Sequence, residues 1–174
     1  MLLSLKPKRL KLVVLVASSK DAAARNMYSL LKNEFGDEFK VGNCEILLRL
    51  LEKEVLYVKR LKDLRAEKSN TIIVLSRHSG APGGPIITTH VPGNFGPSIY
   101  GGEQRKISIA MPFFMKNFLK LVQKGASEIG YPVALEPTHH GPSLDIPIAF
   151  VEVGSNEENW KDIRACNLVA FSVI

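Results

Sequence analysis

A chain of 174 residues, 45% of them hydrophobic, can bury one substantial core, and no stretch in it has the composition of an interdomain linker, so one domain is expected. Lys and Arg outnumber Asp and Glu by 23 to 17, a formal charge of +6 and a pI near 9.4 that favour a polyanionic partner. Two distant cysteines, Cys44 and Cys166, exclude a disulfide framework or a CxxC metal site and point to a reducing, cytoplasmic compartment, and no run approaches the ~18 apolar residues of a membrane span.

The first apolar run, Leu10–Ala17, follows basic residues as a signal peptide would. It is short, however, and a helix pattern stands behind it, so it reads as a first strand. Ser19 or Asp21 can cap a helix over Ala22–Asn33 with Met27, Leu30 and Leu31 inward, and the start of that helix can in principle hold a phosphate. Cys44–Leu51 and Val55–Leu61 read as a hairpin turning at Glu52-Lys53-Glu54, although the leucines fit a helix equally. Thr71–Leu75 opens with the β-branched run Thr-Ile-Ile-Val and closes on Leu75, as in a central strand covered on both faces. It runs into Ser76-Arg77-His78 and a Gly/Pro loop over residues 79–85, where glycine permits close backbone approach and Pro82 and Pro85 shape the chain. Ile86–Val91 is the next strand. Met111–Ile129 reads as a helix with Phe114, Phe118, Leu121 and Val122 towards the core and Gly130 as its stop. Val133–Leu135 and Ile146–Val153 are strands bracketing a polar loop. Glu157–Ile174 reads as one helix capped by Ser155 or Asn156, with Trp160 packing. Its apolar end, CNLVAFSVI, has no cap or polar tail, and truncation of a longer domain is the expectation. The pattern predicts an α/β fold: a three-layer arrangement with a mostly parallel or mixed sheet and helices on both faces, ligands collecting at the carboxyl ends of the strands.

All four histidines, His78, His90, His139 and His140, fall at ends of apolar runs beside Gly or Pro, which suggests that the two histidine segments form one cleft. A histidine can take a proton near neutral pH, and a carboxylate such as Glu136 or Glu152 can orient it. Gly141-Pro142 should force the chain out of strand geometry, standing His140 at the loop's mouth as base or ligand, while His139 points back onto a carboxylate or carbonyl. Candidate metal ligands are His78, His139, His140 and Glu152, with Glu136 and Asp145 as further carboxylates. Two difficulties stand. Adjacent histidines in a strand face opposite ways, and a simple antiparallel hairpin of Thr71–Leu75 with Ile86–Val91 would put His90 on the order of 10–15 Å from His78, so a site of two or three histidines is preferred over four. His90 is as readily a strand-end residue satisfying a carbonyl. Arg77, Ser79, Lys20, Gly141 and Asn94 are the candidate substrate contacts. Arg77 and Lys20 would meet phosphates, and the backbone N–H groups near Ser79 or Gly141 would meet an oxyanion. Arg77 can alternatively pair with Glu152, and Asn94 can serve for its tolerance of left-handed backbone. The absence of a G-x-S-x-G elbow leaves a serine triad unsupported.

Ser76-Arg77-His78-Ser79, Thr89-His90-Val91-Pro92-Gly93-Asn94, Thr138-His139-His140-Gly141-Pro142, and Phe150-Val151-Glu152-Val153-Gly154-Ser155 with Trp160 together resemble the archaeal and plant type of D-aminoacyl-tRNA deacylase, and Ala17-Ser18-Ser19-Lys20-Asp21 resembles its first loop. The chain departs from that family's pattern at Gly80 and Pro82 and lacks a Gly-Gly-x-His-Tyr segment. The resemblance implies hydrolysis of the ester joining a D-amino acid to the 3′ end of tRNA, on a fold similar to phosphorylases and some peptidases, with zinc as a candidate cofactor and D-aminoacyl-tRNA as the partner. A metal-dependent peptidase or amidohydrolase, and an RNA-binding domain without activity, are the alternatives.

Overall fold

The computed structural model describes residues 11–81 and 83–174, so Leu10 and Pro82 lie outside the described residues. The chain opens with strand β1 (Lys11–Ser18) and helix α1 (Ala22–Phe35). Asp21 caps α1: its carboxylate accepts from the Ala24 N–H, satisfying a donor that the first turn cannot pair internally. Met27 and Leu31 are fully buried.

The predicted hairpin over residues 44–61 does not form. Strand β2 (Glu38–Val41) instead turns through Gly42-Asn43 into β3 (Cys44–Leu51), with Val41 opposite Cys44. Gly42 adopts φ +54°, as a two-residue hairpin turn requires, whereas Glu52-Lys53-Glu54 contains no residue suited to positive φ. Val55–Tyr57 is a 3₁₀ turn, followed by a second over Leu61–Leu64, and Val55, Val58 and Leu64 are buried.

Strands β4 (Thr71–Arg77), β5 (Ile86–His90), β8 (Val133–Leu135) and β9 (Ile148–Gly154) complete a seven-stranded mixed sheet, in the order β2-β3-β1-β4-β9-β5-β8. Strands β3, β1, β4 and β9 are mutually parallel, while β5 runs against β9 and alongside β8. Thus β4 and β5 are not partners at all. The fully buried β9 lies between them, and its run of apolar residues competes for the centre of the sheet more strongly than the half-polar β5, Ile-Ile-Thr-Thr-His. A small ladder, β6 (Gly93–Asn94) with β7 (Lys106–Ile107), lies outside the main sheet.

The fold is a three-layer α/β arrangement. One face of the sheet, including Leu15, Ala17, Ile73, Leu75, Val151 and Val153, packs against α1, α2 (Pro112–Glu128) and α4 (Ile163–Phe171). The other, with Val14, Val16, Ile72, Val74, Ile148 and Phe150, is covered by the two 3₁₀ turns together with Leu144 and Ile146. The α-helices therefore share one face, and the opposite layer is irregular. On α2, Phe118 and Val122 are buried, but Leu121 is 65% exposed, because the buried stripe runs through Met115, Phe118, Val122 and Ala126. The expected single last helix is broken into α3 (Glu157–Lys161), capped by Asn156, and α4; Asp162 is extended between them and caps α4 at the Arg164 N–H.

Candidate active site

Alternation along β9 puts Glu152 on the same face as Phe150, so the irregular layer covers a carboxylate within the most buried strand. Register places Glu152 opposite Thr88 and Phe150 opposite His90. His90 is thereby level with Val74, four residues before His78 along the sheet. The chain leaves β8 at Glu136 and carries His139 and His140 over this face. His140 adopts φ +50°, and this left-handed turn removes the difficulty of adjacent histidines, since both rings now reach His90. The His90 ring stacks on His139 at 4.4 Å and on Phe150 at 5.3 Å, and meets His140 edge-on at 4.8 Å.

Hydrogen bonding fixes where the lone pairs point. His139 Nδ1 lies 2.8 Å from the Pro137 carbonyl and His140 Nδ1 lies 2.7 Å from the Gly141 carbonyl. A carbonyl only accepts, so each Nδ1 carries the proton and each neutral ring keeps a bare Nε2. The bare His140 Nε2 sits 3.2 Å from His90 Nε2, which donates to it. His90 is left with a buried Nδ1 that has no hydrogen-bond partner. Ring nitrogens of His90, His139 and His140 lie within 4.8 Å of one another, and so do ligand atoms of His90, Glu136 and Glu152.

Electrostatics point the same way. Burial, reinforced by the neighbouring histidines, pushes the His90 pKa down to about 2, and burial also lowers that of His140. Glu152 is held well above the ordinary carboxylate value, first by burial and next by the charge of Glu136. His90 and His140, both held towards the neutral form, and the adjacent His139 ring stand beside two acidic side chains, a donor set that a cation would complete.

A cleft of about 440 Å³ opens over this floor, lined among others by Ser76, Arg77, Ser79, Tyr57, Tyr100 and Glu152. His139 and His140 form part of its wall. Their order is the reverse of the sequence expectation. The His140 side chain is only 10% exposed and that of His139 is 46% exposed, because the positive φ turns His140 inward before Gly141 packs against neighbouring loops.

A family model described as D-aminoacyl-tRNA deacylase matches residues 65–174, which include every residue of the histidine and carboxylate cluster. The chain belongs to the D-aminoacyl-tRNA deacylase family. It is 45% identical over 164 residues to the D-aminoacyl-tRNA deacylase of Korarchaeum cryptofilum and 35% identical over 175 residues to that of Pyrococcus furiosus. These alignments cover 94% and 92% of this chain but 58% and 64% of the relatives' own lengths. Among solved structures, a conserved protein of unknown function, AF0625, superposes with TM-score 0.82 at 30% identity, covering 94% of this chain and 62% of that one. The catalytic domain of CwlV, an N-acetylmuramoyl-L-alanine amidase from Bacillus (Paenibacillus) polymyxa, superposes with TM-score 0.53 at 15% identity over 94% of this chain and 93% of its own, a likeness of fold alone.

Within this family member several expected contacts have other work. His78 stands outside both ligand groups: its Nδ1 is 2.7 Å from Ser155 Oγ, and its Nε2 is 3.5 Å from Glu136 Oε1, a contact too long to satisfy that oxygen. It backs Glu136 rather than joining the cluster. Arg77 bonds Glu54 at 3.1 Å and the Lys20 carbonyl at 3.2 Å and lies over the Trp160 ring. Its partner is thus Glu54, not Glu152, and it is committed to structure rather than to a phosphate. Asn94 is buried and donates to the carbonyls of Gly101 and Glu103, and its backbone is not left-handed. The Gly141 N–H is spent on the Tyr100 carbonyl at 2.9 Å, so it cannot serve an oxyanion. Asp145 is exposed beside Lys106, apart from the cluster. Ser79 remains exposed on the cleft wall, and the Lys20 side chain is in solvent.

Sequence reasoning undervalued His90, the residue on which the cluster is centred. The available signal was its place in a buried strand two residues after Thr88, on one face. Trp160, read as packing, donates Nε1–H to the His78 carbonyl at 2.8 Å and so holds the end of β4; no sequence pattern announces this.

Proposed function

We propose that this chain hydrolyses the ester linking a D-amino acid to the 3′ end of tRNA, the reaction named for the family. The observation that carries the reading is the floor of the cleft, where His90, His139 and His140 converge with Glu136 and Glu152 beside an opening large enough for an aminoacyl group.

The residues present fit a divalent cation. Two Nε2 lone pairs are fixed by Nδ1–H bonds to carbonyls, the buried His90 Nδ1 and Glu136 Oε1 lack partners, and a ligating histidine ordinarily donates its second nitrogen in this manner. Zinc held by His90, His139 and His140 would supply a more acidic water and polarise the ester carbonyl. Glu136 is the proton carrier: it takes a proton from the attacking water as the water oxygen bonds to the ester carbon, then returns it to the 3′-oxygen as the C–O bond breaks. His78, tied to Ser155, stands behind the Glu136 carboxylate at 3.5 Å. Phe150 and Val74 give part of the cleft an apolar lining.

Incubation with a D-aminoacyl-tRNA and its L-counterpart, each with and without chelator, tests the reading. Release of the D-amino acid only, reduced by chelator, is the expected result. Turnover of peptides in place of the ester would favour the amidohydrolase alternative, and tRNA binding without ester cleavage would favour a binding domain.

A further inference from the structure

The mouth of the cleft carries aromatic side chains that the chemistry at its floor does not use. Tyr57 and Tyr100 both line it, yet they are 57% and 64% exposed. Neither ring pairs with another aromatic ring among the described residues. Phe95 and Ile99, on the same loop as Tyr100, are 69% and 74% exposed.

The backbones beneath these rings are tightly held. A Cβ on Gly101 would collide with the Leu56 carbonyl oxygen and lie 3.1 Å from Tyr57 Cδ1, and one on Gly141 would collide with the same oxygen. The Tyr57 turn, the Tyr100 loop and the residue after His140 are therefore in direct contact. Only glycine permits so close an approach. The Tyr100 carbonyl accepts from Gly141, Asn94 pins the following turn, and Val55 and Val58 anchor the 3₁₀ segment in the core. Two exposed aromatic rings on fixed supports, next to a catalytic floor, form a platform for a flat apolar group rather than loose surface side chains.

Charge identifies that group further. The exposed Lys59 stands two residues beyond Tyr57 and the exposed Arg105 five beyond Tyr100, Lys20 lies at the start of α1, and none of the three makes an ion pair among the described residues. Flat rings whose neighbouring chain segments carry unpaired cations match an unpaired nucleobase with its phosphodiester, since every base offers a π-face and every linkage a negative charge. An apolar peptide side chain would not call on the cations.

We propose that Tyr57 and Tyr100 form a stacking subsite for the unpaired 3′-terminal base of an RNA, placing its esterified ribose over the histidine cluster. The subsite rests on the hydrolase reading for its substrate, but it is tested by binding alone. The probe is an RNA oligonucleotide with an unpaired C-C-A 3′ end in which 2-aminopurine replaces the final adenine, without an amino acid. Its fluorescence should be quenched on binding to the 174-residue chain. In Tyr57→Ala and Tyr100→Ala the quench should disappear and Kd should rise by about tenfold, with the melting temperature unchanged because the rings are exposed. Tyr57→Phe and Tyr100→Phe should bind as the parent does, and an RNA with an abasic 3′ end should bind the parent no better than the alanine variants bind the intact probe.

Unchanged quench and Kd in the double alanine variant would overturn the subsite, as would equal binding of the abasic RNA. Ester hydrolysis proceeding at full kcat/KM in that variant would likewise remove the subsite and leave the deacylase reading standing. Quenching that is lost in the alanine variants of a protein without hydrolytic activity would establish the subsite and remove the deacylase reading.

Discussion

At the scale of single residues, the site is a set of ring nitrogens and carboxylate oxygens held close together. His139 and His140 each give up Nδ1–H to a carbonyl, so loss of either ring removes a lone pair already aimed. His90→Ala, His139→Ala and His140→Ala are each expected to weaken zinc binding in a titration of metal-free protein by 10-fold or more and to lower deacylation by ~10²-fold. Tight zinc binding in all three would refute the assignment. The buried groups also set a pH profile for the metal-free protein in chelator. His90 resists protonation in the folded state down to about 2 against an ordinary 6.5, and His140 is shifted the same way. Below pH 6.5 the unfolded chain therefore binds protons that the folded chain refuses, and stability falls with falling pH. Glu152, raised above 4.5, and Asp21, raised above 3.8 by burial, act oppositely: as pH rises the unfolded chain releases protons that the folded chain keeps, and stability falls. The two slopes offset each other between about 4.5 and 6.5, where stability should be greatest, each fully expressed group contributing about 1.4 kcal/mol per pH unit outside that window. Glu152→Gln should reduce the decline that sets in as pH rises above 4.5; a melting-temperature difference from the parent that stays constant from pH 4.5 upward would contradict it.

At the scale of elements, the site depends on a few joints. Asp21 caps α1 and also accepts the Arg77 N–H at 2.7 Å, so one carboxylate ties the first helix to the end of β4. Asp21→Ala leaves a buried N–H, that of Ala24, and a half-buried one, that of Arg77, unpaired and should cost about 2–4 kcal/mol in urea denaturation; a loss under about 0.5 kcal/mol would mean that water replaces it. Gly141 is the other joint. A methyl group there would meet backbone atoms of Leu56, Gly101 and Gly102, none of which is a flexible side-chain end. Gly141→Ala should lower stability by at least about 2 kcal/mol and abolish activity, since the loops carrying Tyr100 and His140 must part. Retention of both would show that the contact is easily relieved. The break at Asp162 between α3 and α4 lets Trp160 reach the His78 carbonyl while α4 packs on the core, which one continuous helix from Glu157 would have had to reconcile along a single axis.

Across the whole molecule, charge is divided. The excess of basic residues is spread over the surface, while Asp21, Glu54, Glu136 and Glu152 gather in and under the cleft, with Arg77 already paired. The phosphates of tRNA are accordingly expected to meet the rim and outer surface, and only the reacting end to enter. Binding of tRNA should weaken at least tenfold between about 50 and 200 mM salt, whereas hydrolysis of bound substrate in a single turnover should change little. An affinity independent of salt would remove the electrostatic account. No helix among the described residues is long and apolar enough to cross a membrane.

The sequence by itself determined the elements whose signals are local: the capped α1, the β-branched β4, the apolar β9, the stripe of α2, and the presence of histidines at strand ends. It also carried the family, through motifs that remain contiguous in the chain. Sheet order was decided only by the tertiary structure, because a fully apolar strand arriving late, β9, displaces the β4–β5 pairing that loop length alone suggests. The same holds for the site. That His90 lies at its centre, that His140 turns inward while His139 faces the cleft, and that His78 stands one step behind Glu136 depend on a positive φ at one residue and on cross-strand register. Neither leaves a trace in residue type or spacing, since the energies that select them come from packing between segments fifty or more residues apart.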